Sequence, residues 1–557
     1  MDGIVARPAQ ALAVVALVLL GTYLYRTLYH KRFVVLAHLP QHPSSLFWGH
    51  LRVFDEFMKR GIADRHPDII FSEMNRALGD PPLMIVDNWP IFPTLAIIRS
   101  HEVAEQITKP SNRFPYSVPK SRSVERIVTL IGSKSILFKQ NEEWKAVRRR
   151  FNPGFAPKHL MTLLPVLVDK AAPFVDTLDK YVRTGETFSL DEIATNLTFD
   201  VIGAVTMGED MEAQHIDPAR QGELRRALGE RNSQLLGDIV RRNFEAKKRA
   251  AATSSGTHQQ PPPNKSRSVL ALSLQEVETL TPEIIEETCD QLKTFLFAGH
   301  DTTSTTIMWA LYELSRTPHA LKRVYEELDA LFGHENGGAS NPAVVRRKLL
   351  EHGGDDIVRR LTYIGAVIKE VLRLYPPAGS VRAVAPGTGF VVSTSQGDEY
   401  NLDGTWVYLN HYLIQRDRAV YGETADEFVP ERWLQREERR RSPDGDTDSG
   451  SDGSGSGSAL PVSAWRAFER GPRNCIGQEL ANIEARVILA FVARRYDFTK
   501  VGLGALELDG SGRPVLDDKG RYYKVQSELY STIRITGKPV DGMMMKVGLS
   551  PTASPCQ

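Results

Sequence analysis

A loop near the C-terminal end carries the residue types best suited to chemistry. Phe468–Gly477 contains one cysteine, Cys475, between two glycines, with arginines before it and the apolar-periodic run Leu480–Phe491 after it. This pattern predicts a loop that delivers a thiolate to the N-terminus of a helix. A helix N-terminus and nearby arginines favour the thiolate, which binds soft metals and also attacks electrophiles. The loop alone leaves both a metal-ligand site and a catalytic nucleophile open.

Composition limits what such a thiolate could bind. The chain has 557 residues, 41% of them hydrophobic and 25% charged, and a formal net charge of +1. That balance gives no reason to expect nucleic acid as a partner. The three cysteines, Cys289, Cys475 and Cys556, are too few and too scattered for a disulfide framework or a zinc site. If one of them is a metal ligand, the other ligands come from a cofactor, which favours a macrocycle over a bare ion.

A second chemistry-bearing stretch lies in the middle of a predicted long helix. Thr281–Glu283 has the hydroxyl, proline and acid of a helix start, and the helical pattern continues to Arg316. Its centre, Ala298–Thr306, is rich in glycine and threonine, which are poor helix formers. The threonines could bond back to the preceding turn and bend the helix. Alternatively, the small residues let a flat group approach while Asp301 and Thr302 form a proton relay.

Two pairs of residues at helical spacing are further candidates. Trp144 and Arg148 lie four apart, so they share a helix face, where an indole N–H beside a guanidinium suits a carboxylate. The alternative is ordinary packing plus a solvated charge. Glu370 and Arg373 lie three apart in a second apolar-periodic helix, Leu361–Tyr375. Taken in isolation, that pair is typical of a surface salt bridge.

The N-terminal residues predict a membrane anchor. Residues 9–25 are nearly all apolar and about as long as the ~17–25 residues that span a bilayer. Basic residues outnumber acidic ones on the C-terminal flank, so the positive-inside rule places residues 1–8 in a lumen and the rest in the cytosol. A cleaved signal peptide is disfavoured because the basic n-region and the small-residue cleavage site are missing. A basic, proline-rich connector (26–50), one catalytic domain (51–545) and a C-terminal tail (546–557) are expected to follow.

Within the domain the pattern is mostly helical. Phe390–Thr394 and Thr405–Leu409 alternate like strands joined through glycines, which predicts one small sheet. Two stretches, about 251–268 and 436–460, are rich in Pro, Ser, Gly or charged residues and cannot bury a core. Both are expected to be disordered insertions and not domain boundaries.

Taken in order, these motifs resemble those of the cytochrome P450 family, from about Pro40 to Lys538. The N-terminal anchor is typical of its microsomal branch. The sequence of the cysteine loop is most similar to those of filamentous-fungal members that act in secondary metabolism. Trp433 stands where the family often has Phe. The matching motifs are Phe468-x-x-Gly471-x-Arg473-x-Cys475-x-Gly477, Ala298-Gly299-x-Asp301-Thr302-Thr303, Glu370-x-x-Arg373 with Pro430-Glu431-Arg432-Trp433, and Trp144-x-x-x-Arg148.

The resemblance implies the cytochrome P450 fold, mainly α with small β-sheets, preceded by one transmembrane helix. It also implies haem b, with Cys475 as the axial thiolate that favours O–O cleavage, in place of a catalytic nucleophile. Phe468 would shield the sulfur, and Gly471 and Gly477 would allow tight turns close to the porphyrin. The residues that would hold the haem propionates are Trp144, Arg148, Arg382 and Arg473.

Asp301 and Thr302 would be the catalytic acid–alcohol pair that delivers protons on the other face of the haem. Glu370, Arg373 and Arg432 would form a buried network that braces the cysteine loop. The implied activity is a monooxygenase that hydroxylates, epoxidises or desaturates a hydrophobic small molecule. The alternatives are an oxygen-independent isomerase or dehydratase and a non-catalytic ligand-binding or sensor protein. The intact Asp301–Thr302 pair favours the monooxygenase.

Electrons would come from outside, since the chain has no glycine fingerprint for a flavin or nicotinamide. The resemblance implies NADPH–cytochrome reductase as the partner, so NADPH and flavins would act only through that protein. It also implies a single-pass protein of the endoplasmic reticulum membrane whose catalytic domain faces the cytosol. The candidate docking charges are Lys145, Arg149, Arg150, Arg466 and Arg470. The identity of the substrate does not follow from the pattern.

Overall fold

The computed structural model describes residues 6–89, 91–215, 233–254, 268–434, 460–534 and 536–551. Helices dominate these residues, and short strands form small sheets, as predicted. The α-helices are α1 (Ala6–His30), α2 (Leu51–Lys59), α3 (Pro67–Ala77), α4 (His101–Thr108), α5 (Val128–Ile131), α6 (Asn141–Phe151), α7 (Pro157–Thr162), α8 (Leu164–Thr184), α9 (Leu190–Met207), α10 (Ser233–Ser254), α11 (Val269–Ser273), α12 (Pro282–Arg316), α13 (Pro318–Phe332), α14 (Pro342–Leu350), α15 (Gly354–Arg360), α16 (Thr362–Leu374), α17 (His411–Ile414), α18 (Arg418–Tyr421) and α19 (Gln478–Val492). The strands are β1 (Leu83–Val86), β2 (Leu95–Ile98), β3 (Phe188–Ser189), β4 (Ser380–Ala383), β5 (Val391–Ser393), β6 (Glu399–Asn401), β7 (Trp406–Leu409), β8 (Tyr496–Lys500), β9 (Ser531–Ile533), β10 (Gly537–Pro539) and β11 (Met544–Leu549).

The N-terminal helix is longer than its apolar run predicts. α1 continues to His30, and a π-helical turn, Lys31–Val35, extends it. Among the described residues, Gln10–Val35 is the one helical segment long and apolar enough to cross a membrane, by length and composition. The connector expected from residue 26 therefore begins as helix, which the basic residues after residue 25 do not interrupt.

A buried arginine joins this helix to the domain. Arg32 is 2% exposed, and its Nε donates to Oδ2 of Asp87 at 2.7 Å. Its guanidinium also donates to the carbonyls of Ser45, Leu46 and Trp89. Burial alone would raise the pKa of Asp87, but the hydrogen bonds that it accepts hold that pKa below its ordinary value. Since breaking a buried ion pair costs about 3–5 kcal/mol, this contact fixes the end of the anchor helix to the domain.

The main sheet has the strand order β1-β2-β7-β4, in which only β2 and β7 are parallel. Both predicted strand segments form, but the prediction that they share one sheet is wrong. β5 pairs with β6 at the surface, whereas β7 joins β2 and β4. β1 and β2 escaped prediction because β1 is buried at all four positions and so shows no alternation.

Helix α12 crosses the centre of the domain with the predicted bounds. Thr281 caps it by accepting a hydrogen bond from the N–H of Ile284. A Cβ on Gly299 would lie 2.7 Å from Ile202, so this glycine permits close packing of α12 on α9. Cys289 is buried in α12, and burial raises the pKa of its thiol to about 11. It is therefore an inert core cysteine.

The C-terminal part of the domain extends further than expected. β11 pairs antiparallel with β8 as far as Leu549, so the boundary predicted at residue 545 falls inside a strand. Met545 and Val547 are buried and Lys546 between them is exposed, an alternation typical of a strand that the sequence analysis did not recognise. Of the two expected insertions, residues 255–267 and 435–459 lie outside the described residues, and residues 251–254 are the last turn of α10.

Candidate active site

Both glycines of the cysteine loop were expected to allow tight turns, and one of them does so. Gly471 has φ +76°, and a Cβ there would meet the carbonyl oxygen of Thr108 at 2.1 Å. Only glycine fits that position. Gly477 has φ −87°, which any residue adopts, so the turn itself does not require glycine there and that part of the expectation is wrong. A Cβ on Gly477 would lie 3.9 Å from Sγ of Cys475.

Cys475 lies at the N-terminus of α19, as predicted. Its own N–H donates to the carbonyl of Phe468 at 2.9 Å. The Cys475 residue is exposed. Desolvation by the surrounding protein raises the pKa of its thiol above the ordinary value, although the N–H groups of Gly477 and Gln478 and the nearby Arg148 lower it. A thiol with a raised pKa is a poor nucleophile, whereas a metal ion would stabilise the thiolate. The geometry therefore favours the metal-ligand interpretation.

One cavity, of about 270 Å³, brings the separated motifs together around this sulfur. Helix α12 supplies one wall, α6 an edge, and the cysteine loop the opposite wall. The predicted site residues that line it are Trp144, Arg148, Thr302, Phe468, Arg473 and Cys475. Asp301, Arg382 and Gly477 are not among its lining residues.

The edge formed by α6 is cationic and held to the cysteine loop. Trp144 is 6% exposed, and the guanidinium carbon of Arg473 lies 4.9 Å from the centroid of its ring. Arg148 donates to the carbonyl and the side-chain oxygen of Asn474 at 2.7 and 3.0 Å. Trp144 thus packs in the core, as one interpretation held. The guanidinium over its ring belongs to Arg473, whereas the other interpretation named Arg148, so the carboxylate-binding role of the Trp144–Arg148 pair stays a prediction.

Arg382 is fully buried in β4 with donors to spare. Its Nη1 lies 3.3 Å from Oγ of Ser117 and 3.4 Å from the carbonyl of Val118. In the part of the chain that the structure describes, its Nε and Nη2 have no hydrogen-bond partner, and Oε2 of Glu469 is 4.0 Å from Nη2. Buried donors without acceptors cost about 1–3 kcal/mol each. The position therefore suits an additional anionic acceptor.

These features fit a haem with a thiolate ligand. The cavity has a sulfur on one wall, the small residues Ala298 and Thr302 on another, and arginines with an indole at its edge. Carboxylates such as haem propionates are the acceptors that buried guanidinium groups prefer. In the described residues, no group of three or more His, Cys, Asp or Glu side chains could hold a bare metal ion.

Asp301 and Thr302 lie on different sides of α12. Thr302 lines the cavity and donates to the carbonyl of Ala298 at 2.8 Å. Asp301 is 6% exposed and does not contact solvent freely. Its carboxylate accepts from Oγ1 of Thr536 at 2.5 Å and lies 2.7 Å from Nζ of Lys538. The expected acid and alcohol are adjacent in sequence but are not hydrogen-bonded to each other.

The central threonines show the back-bonding of one interpretation and the cavity position of the other, while the bend and the proton relay stay predictions. Thr302, Thr305 and Thr306 each donate to the carbonyl four residues earlier, at 2.8 to 3.0 Å. At the same time Thr302 and Thr306 line the cavity, where small residues leave room for a flat group. The back-bonding satisfies the hydroxyls, and the positions of the side chains leave the cavity open.

Glu370, Arg373 and Arg432 form the predicted buried network. Glu370 and Arg373 are 0% exposed and joined by two hydrogen bonds of 2.9 and 2.8 Å, so they are not a surface pair. Arg432 donates to Glu370 at 3.0 Å, and the indole of Trp433 adds a bond of 2.9 Å. Burial would raise the pKa of Glu370, but Arg373 and Arg432 hold it below its ordinary value. The tryptophan thus contributes a donor that phenylalanine lacks.

The network reaches the cysteine loop through Gln415 and Trp465. The carbonyl of Gln415 accepts from Arg373 at 2.9 Å, while its side-chain oxygen accepts from the N–H of Arg466 at 2.7 Å. The indole of Trp465 donates to the carbonyl of Lys369 at 3.1 Å. These contacts confirm that the network braces the segment that leads into the loop.

One of the five expected docking charges is misplaced. Arg466 is 0% exposed and forms ion pairs with Glu105 and Glu469 at 2.8 and 2.7 Å, so the prediction of a docking role for it is wrong. Lys145 and Arg149 are exposed on α6. Arg150 and Arg470 are ion-paired, with Glu287 and Glu105.

Sequence reasoning missed several polar residues that line the cavity, among them Lys120, Ser380, His411 and Glu469. Burial would raise the pKa of Glu469, but His411, Arg466 and Arg382 hold it well below its ordinary range. Glu469 stood within the recognised loop, and its position in sequence beside Phe468 was an available signal. Lys120 gave none, because only the pairing of its segment with β4 brings it to the site.

A second cavity, of about 390 Å³, lies between the end of α12 and the strands β9 and β10. Its polar walls include Glu313, which accepts from Tyr375 at 2.5 Å, and Arg416, which pairs with Asp426 at 2.9 Å. Neither Cys475 nor the motif residues of the first cavity line this second cavity. The candidate active site is therefore identified by the residues that line it and not by the volume of the cavity.

Comparison with known proteins agrees with this geometry. A family model described as cytochrome P450 matches residues 82–228 and 229–507. The chain is 31% identical over 516 residues to cytochrome P450 monooxygenase acrF of Aspergillus aculeatus, covering 87% of this chain and 97% of that protein. It is 26% identical over 529 residues to cytochrome P450 monooxygenase polC of Polytolypa hystricis, covering 87% of each. It is also 26% identical over 467 residues to cytochrome P450 monooxygenase FUM15 of Gibberella moniliformis, covering 73% and 74%.

Proposed function

The chain belongs to the cytochrome P450 family and is a haem-thiolate monooxygenase, and we propose that it oxidises a hydrophobic small molecule in fungal secondary metabolism. The observation that carries the proposal is the position of Cys475, at a helix N-terminus in a cavity with arginines at one edge and Thr302 opposite. When bound, haem with an axial thiolate supplies the activation of dioxygen. Relatives named as monooxygenases support this class, and no observation favours an isomerase or a sensor.

The residues of this chain would hold the haem at three places. Cys475 would bind the iron, and the N–H groups of Gly477 and Gln478 that donate to its sulfur would stabilise the negative charge. Arg148, Arg382 and Arg473, with the Trp144 indole, would hold the propionates. Phe468 would exclude water from the sulfur side.

Proton delivery would start from a chain of charges that ends at Asp301 on α12. Arg534 is 54% exposed at its side chain and lies 3.7 Å from Asp191. Asp191 lies 2.6 Å from Lys538, which lies 2.7 Å from Asp301. We infer that Asp301 exchanges protons with this network and that the Thr302 hydroxyl presents a proton, or a water, to the cavity.

Electrons would come from a membrane-bound NADPH–cytochrome reductase. The exposed cations Lys145 and Arg149 lie on α6, whose Arg148 binds the residue before Cys475. A partner with an acidic surface would therefore dock close to the cysteine loop. In this proposal electrons would enter on the sulfur side of the cavity.

The anchor helix supports a position on the endoplasmic reticulum membrane with the domain in the cytosol. Arg32, at the end of that helix, holds the carbonyls of Leu46 and Trp89. Beside them Trp48 and Trp89 are 53% and 40% exposed. Tryptophans are enriched at membrane–water interfaces, so both loops are suited to rest on the lipid surface.

Reconstitution with reductase tests the proposal. The reduced carbon-monoxide complex should show the red-shifted band of a thiolate ligand, and Cys475→Ser should lose it. An extract of the producing organism should stimulate NADPH consumption and yield a product heavier by one oxygen atom, or one lacking two hydrogens. Conversion without NADPH would indicate an isomerase, and ligand binding without conversion would indicate a sensor.

A further inference from the structure

Two neighbouring polar side chains of α12 hold the backbone of a loop that reaches the cavity. This wall loop, residues 132–137, contains neither helix nor strand. The N–H of Lys134 donates to Oδ2 of Asp290 at 2.9 Å, and the N–H of Ile136 donates to Oε1 of Gln291 at 2.7 Å. In return, Nε2 of Gln291 donates to the carbonyl of Lys134 at 2.7 Å. Because an amide both donates and accepts, Gln291 pairs with the loop as a neighbouring strand would.

The close approach of the wall loop to the helix depends on residues of both. Gly132 has φ +81°, and a Cβ there would overlap the carboxylate of Asp290. Thr294, one turn after Asp290, donates to Oγ of Ser135 at 2.7 Å. Asp290 and Thr294 are buried, as is Gln291 between them. Since a buried polar group that loses its partner is costly, these contacts fix the loop in one position on α12.

The wall loop forms part of the cavity, whereas the side chain that holds it does not. Ile136 and Leu137 line the cavity, but Gln291 is not among its lining residues. On its other side the chain meets the cysteine loop, where Arg473 donates to the carbonyls of Lys139 and Ile136 at 2.9 and 3.5 Å. A residue outside the cavity therefore fixes the position of two residues in its wall.

We propose that Gln291 is a positioning residue that sets, through the wall loop, how large a molecule the cavity admits. Its amide fixes the backbone of Ile136, and the side chains of Ile136 and Leu137 then occupy room in the cavity wall. Without the amide the loop is free to move outward and to leave room for a bulkier molecule. The proposal deepens the monooxygenase function proposed above and rests on it.

Gln291→Met removes the amide at nearly constant length. Thr305→Val is the matched control, because it removes a buried hydroxyl of α12 that bonds to the carbonyl of Asp301 and not to the wall loop. Hydrogen exchange of holoprotein peptides that cover the wall loop, followed by mass spectrometry, measures how firmly the loop is held. We expect exchange about tenfold faster in Gln291→Met, where the N–H of Ile136 loses its acceptor, and unchanged exchange in Thr305→Val.

Two ligands of different size test the consequence for the cavity. Imidazole and 4-phenylimidazole both bind haem iron through a ring nitrogen, and the haem absorption band reports the Kd of each. In Gln291→Met we expect the ratio of the two affinities to shift toward the larger ligand by roughly fivefold or more, while the Kd of imidazole stays within about twofold. A variant that only loosened the haem site would weaken both ligands alike.

Gly132→Ala tests the same contact from the loop side and serves if Gln291→Met does not fold. The added Cβ displaces the wall loop from Asp290 and leaves α12 unchanged, so the same shift toward the larger ligand is expected. Unchanged exchange, or faster exchange without that shift, would overturn the proposal. If the reduced carbon-monoxide complex of the unmodified protein lacks the thiolate band, the proposed function fails. The exchange measurement then decides by itself whether Gln291 holds the loop.

Discussion

The carboxylate of Asp301 lies 2.7 Å from Nζ of Lys538, on a side of α12 that does not face the cavity. The neighbouring Thr302 does face it. Lys538 also lies 2.6 Å from Asp191, so the carboxylate of Asp301 belongs to a larger ion network. If Asp301 and Thr302 form the proposed proton relay, strand β10, which carries Lys538, would be part of the proton supply.

Replacing Lys538 should slow turnover without loss of haem. In Lys538→Met, Asp301 loses its cation, and its link to the ion network, and keeps the hydrogen bond from Thr536. We expect kcat to fall roughly a hundredfold, with an altered pH profile and a larger solvent isotope effect. Lys546→Met, at an exposed position on the adjacent β11, should be unaffected. A normal solvent isotope effect in Lys538→Met would remove Asp301 from the pathway.

Thr302→Ala should uncouple NADPH consumption from product formation. Thr302 is one of the α12 threonines that line the cavity with Cys475, and loss of its hydroxyl should leave haem and substrate binding intact. We expect product per NADPH to fall about tenfold or more. Thr305→Ala is the matched control, because Thr305 makes the same bond to its preceding turn but does not line the cavity. Equal coupling in Thr302→Ala and the unmodified protein would sink the assigned role.

Arg373→Ala should abolish haem incorporation. It leaves the buried Glu370 without its bidentate partner, a loss of about 3–5 kcal/mol, and removes the bond to Gln415 that leads toward the loop. Trp433→Phe removes one bond to the same carboxylate and should cost only about 1–2 kcal/mol. The haem-to-protein absorbance ratio and the thermal midpoint distinguish the two. A fully haem-loaded Arg373→Ala protein would contradict the bracing role.

Acid should destabilise the cysteine loop through Glu370 and Glu469. The folded pKa of each lies below its ordinary value of 4.5. Their stabilisation is therefore fully present above about pH 4.5 and is lost as the pH falls through the folded values. We expect loss of the thiolate band to accompany a fall of Tm in this acid range. A Tm that stays constant as the pH falls through this range would contradict the assignment.

Reductase-supported turnover should fall as salt rises, because salt screens the attraction between exposed charges. At 0.1 M salt the screening length is about 10 Å, and charges farther apart than that hardly attract each other. Reversing Lys145 and Arg149 to Glu should raise the KM for reductase several-fold at low salt. Lys322→Glu, at another exposed lysine, on α13, serves as the control. A double reversal that leaves the KM for reductase unchanged would move the docking surface elsewhere.

The parts of the fold that could be predicted are those set by local pattern. Residues close in sequence predict the cap at Thr281, the length of α12, the helix after Cys475 and the Glu370–Arg373 spacing. β1 could not be predicted as a strand, since it is buried on both faces and lacks alternation. Strand β7 pairs with β2, which lies more than 300 residues earlier in the chain. The sequence around β7 carries no information about that partner.

The same limit applies to the site. Cys475, Arg148 and Thr302 carry recognisable spacing, and the cavity contains all three. Lys120 reaches the cavity only through its bridge to Arg382, and nothing near it in sequence indicates that contact. The misplacement of Arg466 has the same cause. Its burial depends on Glu105, which a distant helix supplies.

The buried contact between Arg32 and Asp87 couples the orientation of the anchor helix to that of the domain. Because the last turn of the helix is part of the body of the enzyme, its tilt in the bilayer and the height of the cavity above the lipid change together. A thicker membrane that draws the helix upright would rotate the whole domain with it. Bilayer thickness would then set how deeply the loops that carry Trp48 and Trp89 enter the lipid. It would also set the angle at which a hydrophobic substrate in the membrane reaches the protein.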